Sequence, residues 1–239
     1  MKTAGFEIIE FDEVNSTNDV AAEYAQSSSV QQLVVRAKRQ TAGRGRRGRN
    51  WQSLDGNLFF SVLLEFELKN LGQLIMASSL ALLEAIKEYA PAADVQLKWP
   101  NDVLLNGGKV SGMLLEKGDG EYMIIGIGVN VVQSPKSADM LYPTTSLKEA
   151  GIETTADDFL ARFLHRFAKN IKKNAADLRY KWLKNAKGIG QKIAVRQNGA
   201  EQNGIFEGID ENADLILRIG NKKQKILAGD VFYLGDENG

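Results

Sequence analysis

The chain has 239 residues, of which 44% are hydrophobic and 25% charged, with 30 basic and 30 acidic side chains and no cysteine. These values are typical of a globular protein with a sizeable core, folded as one large domain or as a medium domain plus a small one. Zero formal net charge argues against a surface that binds nucleic acid as a whole, because such proteins are usually basic. The absence of cysteine excludes disulfides, a thiol nucleophile and cysteine-ligated metals, and it fits a reducing cytosol.

Neither a signal peptide nor a membrane anchor is predicted. Residues 1–15 carry acids where a signal peptide needs an apolar run. The most apolar long stretch, residues 71–83, is too short and too polar to cross a bilayer. We therefore expect a cytoplasmic protein with no membrane partner.

Helices and strands alternate through the first three quarters of the chain. A helix is predicted over 15–26, where Ser16 followed by Asp19 resembles a capping box. Helical spacing of leucines over 72–90 ends at a proline, and a second helical pattern runs from 156 to about 186, with phenylalanine at every fourth position. Apolar β-like segments predict strands at 33–37, 58–66, 95–99, 102–106, 109–117 and 121–131.

The pattern changes near residue 187. Five short β-like segments then follow at close spacing, KIAVRQ, GIFEGI, DLILRI, QKILAG and DVFYL, separated by polar turns. We predict an α+β domain over residues 1–187 and a small β-barrel over residues 188–239. A barrel of this size is marginal alone, so we expect it to pack against the larger domain.

The segment QTAGRGRRGRNW (40–51) crowds four arginines between glycines, with no acid nearby: Arg44, Arg46, Arg47 and Arg49. Neighbouring guanidiniums repel each other, and frequent glycines disfavour a helix. The segment is therefore either a solvated tract or a loop that binds an anion.

Two phosphate-binding motifs can be set aside. GRGRRG (43–48) matches the dinucleotide fingerprint G-x-G-x-x-G, but the residues that follow favour a turn and a strand over the required helix. A Walker A loop is absent from the sequence. A solvated basic loop and an arginine-glycine loop that binds RNA or DNA both stay open on composition alone.

Neighbouring residues favour a ligand site. Trp51 follows the arginines, and an aromatic side chain beside a cation cluster can stack on a base. The turn Lys98–Asp102 contains Trp99 and a proline, and Lys109 begins a strand after a Gly-Gly turn. Each feature alone could be structural: a core tryptophan, a polar turn, a lysine protecting a sheet edge. Together with the arginine loop, they are more simply explained as one site.

Four blocks of this sequence resemble the biotin–protein ligases: STND (16–19), QTAGRGRRGRNW (40–51), KWPNDV with the following GGKVSG (98–112), and GIGVN (126–130). The β-rich tail is similar to the family's small SH3-like C-terminal domain. The resemblance implies a mixed β-sheet with helices, of the class II synthetase-like type. Because the first block begins at residue 16, we expect the short monofunctional form, without the DNA-binding domain of the larger ligases and without DNA as a partner.

The resemblance also implies a reaction. Biotin and ATP, with Mg²⁺, would form biotinyl-5′-AMP, and the biotinyl group would pass to a lysine of a biotin carboxyl carrier protein. Family members often form homodimers, although the sequence indicates no interface. The nearest enzymatic alternative is a lipoate–protein ligase, and the alternative from another class is an RNA- or DNA-binding module. The sequence names neither metal ligands nor a base for the transfer step.

Site residues follow by position from the resemblance. It implies a biotin site formed by Ser16, Thr17, Asn18, Gln40, Gly43, Arg44, Lys109, Gly112, Gly126 and Gly128. It implies an ATP or adenylate site formed by Arg44, Arg46, Arg47, Arg49, Trp51, Lys98, Asn101, Asp102 and Asn130. Arg46 and Lys109 are the expected catalytic residues. Trp51 is expected to pack on adenine, and the last three glycines of the biotin site to leave room for the biotin rings.

The charges explain why this residue set suits the implied reaction. Biotin's carboxylate and ATP are both anions, and two unit charges 4 Å apart repel by about 1 kcal/mol in water and about 4 kcal/mol at an effective dielectric of 20. Arginine and lysine reduce that repulsion. The carboxylate is already ionised, so activation needs no general base, and His165 is expected at the surface without a role. We expect the arginine loop to be mobile when empty and to close over the adenylate as a lid.

Overall fold

A mixed β-sheet forms the larger part of the molecule. The computed structural model describes residues 2–27, 32–67, 71–136, 142–197 and 199–234. Eight strands pair in the order β1-β2-β3-β4-β8-β7-β6-β5. Their bounds are β1 (Lys2–Thr3), β2 (Phe6–Val14), β3 (Gln32–Gln40), β4 (Leu58–Glu65), β5 (Val95–Lys98), β6 (Asp102–Leu105), β7 (Gly108–Lys117) and β8 (Tyr122–Val129). Strands β2 and β3 are parallel, and the other pairs are antiparallel.

Helices cover both faces of this sheet. Helix α1 (Thr17–Ser27) connects the parallel strands β2 and β3, and its Ala21 and Ala25 pack on Leu33 and Leu63. The opposite face is covered by α2 (Leu71–Tyr89), α3 (Ala156–Asn170) and α4 (Ala175–Lys184). Because both faces are covered, β4 is apolar along nearly its whole length, with seven consecutive buried residues.

The prediction of one continuous helix over residues 156–186 is wrong. Helix α3 ends at Asn170, and α4 begins at Ala175. Asn174 caps α4, because its side chain accepts a hydrogen bond from the backbone N–H of Asp177 at 2.8 Å. The phenylalanine spacing correctly marks the buried face of α3, where Phe163 contacts Phe60 of β4 with ring centroids 5.1 Å apart.

The remaining predicted strands and helices agree with the structure to within a few residues. Strand β2 was not predicted, because its glutamates and aspartate disguise an alternating pattern in which the buried residues are Phe6 and Ile8. None of the helices in the described ranges is long and apolar enough to span a membrane.

The β-rich tail forms a second, antiparallel sheet, ordered β12-β11-β10-β9-β13. Its strands are β9 (Lys192–Gln197), β10 (Ala200–Ile209), β11 (Leu215–Ile219), β12 (Lys222–Ile226) and β13 (Asp230–Tyr233). The predicted α+β architecture with a small SH3-like β unit is confirmed, although strand pairing does not close this sheet into a barrel within the described residues. The exact domain boundary near residue 187 stays a prediction.

The two sheets share one hydrophobic core. The indole N–H of buried Trp99, directly after β5, donates to the carbonyl of Ala213, in the turn between β10 and β11, at 2.9 Å. The hydroxyl of Tyr142 donates to the carbonyl of Val231 in β13 at 2.8 Å. The small sheet therefore packs beside the β5–β6 turn, as expected, and the start of β13 lies near the arginine loop.

Candidate active site

A cavity of about 200 Å³ brings together most of the predicted site residues. Its lining includes Ser16, Thr17, Asn18, Gln40, Arg44, Arg46, Arg49, Trp51, Lys98, Asn101, Asp102, Lys109, Gly112, Gly126, Gly128 and Asn130. Gly43 and Arg47 are the two predicted residues outside this lining. Asp230 of β13 also borders the cavity, so the second sheet contributes to its wall.

The arginine loop is closed on itself. The backbone N–H of Trp51 donates to the carbonyl of Gly43 at 2.9 Å, and that of Gly45 to the carbonyl of Arg49 at 2.7 Å. A short 3₁₀ turn, Arg46–Gly48, forms its tip. An extended segment and β4 follow, rather than the helix that a dinucleotide fingerprint requires. The loop is therefore a narrow hairpin that presents its arginines from a hydrogen-bonded base.

Carboxylates distant in sequence neutralise this loop. The guanidinium of Arg44 lies 2.7 Å from a carboxylate oxygen of Asp19 and 2.9 Å from one of Glu116. Arg47 and Arg49 each approach Asp230 to 2.8 Å. The expected mutual repulsion of the arginines is thus offset in the fold by acids that the local sequence does not contain.

Arg46 differs from the other three arginines. Its Nη1 donates to the carbonyl of Gly229 at 3.3 Å, and no carboxylate of the described residues lies within ion-pair distance of it. Burial lowers the pKa of Arg46, and the positive charges of Arg47 and Arg49 act in the same direction. A guanidinium stays protonated in proteins, so Arg46 offers the cavity a charge that no acid compensates by direct contact.

One end of the cavity is an ordered polar network. The Gln40 side-chain oxygen accepts from the backbone N–H of Thr17 at 2.9 Å, while the Asn18 amide donates to Glu116 at 2.6 Å. The Asn18 oxygen must then accept the hydroxyl proton of Ser61, 2.5 Å away. That leaves the Ser61 oxygen to accept from Thr17 at 2.7 Å. The Glu116 carboxylate, an acceptor only, therefore sets the direction of the whole network.

Two lysines lie on the other side of the cavity. Lys109 Nζ is 2.7 Å from Asp102 and 5.3 Å from the centre of the Trp51 ring. Lys98 is buried, with its ammonium 3.5 Å above the ring of Tyr142. Burial lowers the pKa of Lys98 to about 8. With Arg46, these side chains give the cavity a local excess of positive charge.

Gly112, Gly126 and Gly128 allow neighbouring side chains to lie close to the sheet. A Cβ at residue 128 would overlap the Trp51 indole, one at residue 112 would crowd the same ring and Lys109, and one at residue 126 would overlap the Asn18 amide. In this structure the space beside these glycines is thus taken by Trp51 and Asn18. The Trp51 indole N–H is buried and has no hydrogen-bond partner among the described residues, which leaves one unused donor at the site.

The side chains of Asn101 and Asn130 hydrogen-bond to backbone carbonyls beside the site. The Asn101 amide donates to the carbonyl of Met113, and the Asn130 amide donates to the carbonyl of Thr145 at 3.0 Å. These contacts hold segments on either side of Lys109. His165 lies exposed on α3, as expected, with Nδ1 2.8 Å from the carbonyl of Ala161.

Sequence reasoning missed four residues of the site: Ser61, Glu116, Tyr142 and Asp230. Ser61 is a polar residue among buried neighbours in β4, which was its one available signal. Glu116 lies near the end of β7 beside partly buried Leu115 and exposed Lys117, and the strand pattern gave no signal for it. Tyr142 and Asp230 reach the cavity only through packing of the second sheet. Within the described ranges, no group of three histidine or acidic side chains could hold a metal ion.

Replacing Ser61 tests the polar network. In Ser61→Ala the buried Asn18 oxygen loses its donor, so we expect the free energy of unfolding to fall by about 1–3 kcal/mol, measured by urea denaturation. Ser78→Ala is the matched control, because Ser78 is equally buried and donates only to a helix carbonyl, that of Leu74. Equal, small losses in the two variants would contradict the assigned hydrogen-bond direction.

The buried ammonium of Lys98 predicts a pH dependence. Its pKa is about 8 in the fold against an ordinary value of 10.5, so the unfolded chain binds more protons between these values. The free energy of unfolding should therefore rise with pH through this window, by about 2 kcal/mol between about pH 7 and pH 9.5.

Urea titrations of the wild type and Lys98→Met across this range measure the effect, with exposed Lys222→Met as control. The rise in the free energy of unfolding with pH should be absent in Lys98→Met and present in Lys222→Met. Parallel stability curves for the wild type and Lys98→Met would show that Lys98 does not titrate in this way.

Comparison with known proteins agrees with this geometry. Residues 10–130 match the model of the biotin/lipoate A/B protein ligase family, and residues 188–234 match the biotin protein ligase C terminal domain. A biotin--[acetyl-CoA-carboxylase] ligase from Paracoccus denitrificans is 39% identical over 236 residues, covering 92% of this chain and 98% of its own.

Solved structures are similar along nearly the whole chain. Biotin protein ligase from Aquifex aeolicus in complex with biotin and ATP has a TM-score of 0.82 at 31% identity, covering 95% of this chain and 98% of its own. The Leishmania major biotin protein ligase in complex with biotinyl-5-AMP has a TM-score of 0.68 at 28% identity, covering 96% and 98%. Taken with the two family matches, these likenesses show that the chain belongs to the biotin/lipoate A/B protein ligase family.

Proposed function

We infer that this protein is an ATP-dependent biotin–protein ligase, which activates biotin as biotinyl-5′-AMP and transfers the biotinyl group to a lysine of an acceptor protein. One observation carries this conclusion. The arginine loop, the Lys98–Asp102 turn and Lys109 surround a single cavity, in a chain whose relatives are named for this reaction or bind its reactants.

The polar end of the cavity suits the ureido ring of biotin. That ring offers one carbonyl acceptor and two N–H donors. The polar network that begins at Glu116 determines which side-chain donors and acceptors stay free to hydrogen-bond to it. The Gln40 oxygen already accepts from the backbone N–H of Thr17, so the Gln40 amide hydrogens are left for the ligand. We assign this end to biotin, with Ser16, Thr17, Asn18 and Gln40 as its contacts and Arg44 closing over it.

The first step joins two anions. An oxygen of the biotin carboxylate attacks the α-phosphorus of ATP, and the bond to pyrophosphate breaks without any proton transfer. Arg46 and Lys109 hold the positive charge that this approach requires, and Asp102 fixes Lys109 at the cavity wall. We assign the nucleotide to this side, with Arg49, Lys98, Asn101 and Asn130 around it and Trp51 against the adenine.

Magnesium enters this scheme as the companion of the triphosphate. Asp102 and Asp230 are the carboxylates of the cavity lining, and both are already paired with cations. We therefore propose Mg·ATP as the substrate and derive no step from a metal site of the protein.

The second step forms an amide. The amine of the acceptor lysine attacks the carbonyl of the mixed anhydride, AMP leaves, and the amine loses one proton, to which we assign no side chain. We propose a biotin carboxyl carrier protein as acceptor, since relatives are named for acetyl-CoA carboxylase. We also propose the cytoplasm as the location and a homodimer as the assembly, without an assigned interface.

Transfer to a carrier domain tests the function. The protein, biotin, Mg·ATP and a purified carrier domain should yield acceptor carrying one biotinyl group, detected by intact mass, and an acceptor Lys→Arg variant should stay unmodified. Lipoate in place of biotin should give no product. Equal transfer of lipoate would favour the lipoate ligase alternative. Salt-sensitive oligonucleotide binding with no response to biotin would favour a nucleic-acid module.

Arg46→Ala tests the closing of the arginine loop over the intermediate. The variant should still form adenylate, because Lys109 remains at the cavity wall. It should release the adenylate early, because it loses the one loop cation without a carboxylate partner. Adenylate that stays bound through rapid gel filtration is measured. Arg162→Ala, which removes an exposed arginine of α3 paired with Glu88, is the control. Wild-type retention of adenylate by Arg46→Ala would exclude this role.

A further inference from the structure

The second sheet contacts the tip of the arginine loop through ion pairs and hydrogen bonds. The Asp230 carboxylate accepts from Arg47 Nη1 through one oxygen and from Arg49 Nη2 through the other, each at 2.8 Å. Arg47 also donates to the carbonyl of Arg196 in β9 at 3.2 Å, and Arg46 to the carbonyl of Gly229 at 3.3 Å. All three arginines of the loop tip are thus tied to one edge of the small sheet.

The backbone of the loop tip has a conformation that these side-chain contacts support, together with the backbone hydrogen bonds of the hairpin. Arg47 has a φ of +58°, a left-handed conformation that is unfavourable for a residue with a side chain and persists only when surrounding contacts impose it. The contacts available to Arg47 are those to Asp230 and to the Arg196 carbonyl. Anchoring the Arg47 side chain therefore maintains the turn that places its neighbour Arg46.

Only the acid of this anchor is shielded from solvent. The side chain of Asp230 is 16% exposed, whereas those of Arg47 and Arg49 are 36% and 43% exposed, so the anchor depends on two simultaneous contacts rather than on burial of the whole ion pair. Burial tends to raise the pKa of Asp230, but the guanidiniums of Arg49, Arg47 and Arg46 outweigh it and hold the pKa below its ordinary value. Asp230 therefore stays charged and engages two arginines at once.

The arginines divide into two groups on this geometry. Arg47 lies outside the cavity lining, whereas Arg46 lies within it and has no carboxylate partner among the described residues. Arg44, at the base of the loop, is held separately by Asp19 and Glu116. The tip and the base of the loop thus have independent anchors.

We propose that Asp230 is a positioning residue for the ligase reaction, which fixes the loop tip through Arg47 and Arg49 so that Arg46 is aimed at the triphosphate before ATP binds. This rests on the proposed function. It gives the small sheet a task in the first step and makes Arg47 an anchor rather than a phosphate ligand.

Asp230→Asn removes the charge with little change of shape. We expect the KM for ATP in biotin-dependent pyrophosphate release to rise roughly tenfold, within the usual range of coupling between two sites. The KM for biotin should stay unchanged, because Arg44 keeps its own anchors. Asp230→Glu should restore most of the ATP affinity.

Glu207→Gln is the matched control. Glu207 lies in the same sheet and also pairs with two cations, Arg218 and Lys223, each at 2.6 Å, but it does not touch the loop. Arg47→Ala should reproduce part of the Asp230→Asn effect, because Arg49 keeps its contact with Asp230. The double variant should be no worse than Asp230→Asn alone, since the Arg47 contact is already lost in that variant.

Amide hydrogen exchange of residues 44–50 in the nucleotide-free protein tests the anchor independently of activity. Exchange should be faster in Asp230→Asn than in the wild type or Glu207→Gln. If the wild type releases no pyrophosphate, the proposed function fails, and exchange still decides whether Asp230 holds the loop. Unchanged exchange, a lower KM for ATP, or equal rises in both KM values would each overturn the proposal.

Discussion

The constraint that shapes this site is the repulsion between a carboxylate and a triphosphate that must approach each other within bonding distance. Counter-charge in a partly closed cavity removes that repulsion only if it is held in place, because unanchored cations repel each other as well. The structure meets both requirements by separating the roles of its positive side chains. Some, such as Arg44 and Arg47, are neutralised by acids beside or at the wall of the cavity. Others face the reaction space without a carboxylate partner or, like Lys109, with one that fixes their position.

The sheet explains how residues so distant in sequence meet. Strands β7 and β8 lie next to each other and bring Lys109, Gly112, Gly126 and Gly128 to one surface. Glycine at these positions lets Trp51 and Asn18 approach the backbone closely. The polar network runs from Glu116 of β7 to Asn18 of α1, then to Ser61 of β4 and back to Thr17 at the start of α1. A rigid β surface thus supports one end of the cavity, while a loop covers the other.

Local patterns predicted most of the strands and helices, though not the nine-residue strand β2, because apolar spacing depends on neighbours in the chain. The loop, the Lys98–Asp102 turn and Lys109 were also identifiable, since each combines residue types that a purely structural segment rarely needs. The break between α3 and α4 was missed because the phenylalanine period continues up to Ile171, while the cap that starts α4 depends on Asn174. Asp19, Glu116 and Asp230 could not be assigned as partners of the arginines, because those contacts are set by strand order and by docking of the second sheet. The structure shows the loop hydrogen-bonded and anchored in one conformation, and its expected mobility when empty stays a prediction.

Biotin-dependent release of pyrophosphate in the absence of any acceptor protein measures the central claim most directly. If fixed cations bring the biotin carboxylate against the α-phosphate, the protein with Mg·ATP and biotin should release about one pyrophosphate per site in a rapid phase and retain the adenylate. A biotin amide, which lacks the anionic oxygen, should release none. Release that is equally fast without biotin or with the amide, or no release with biotin itself, would contradict the account.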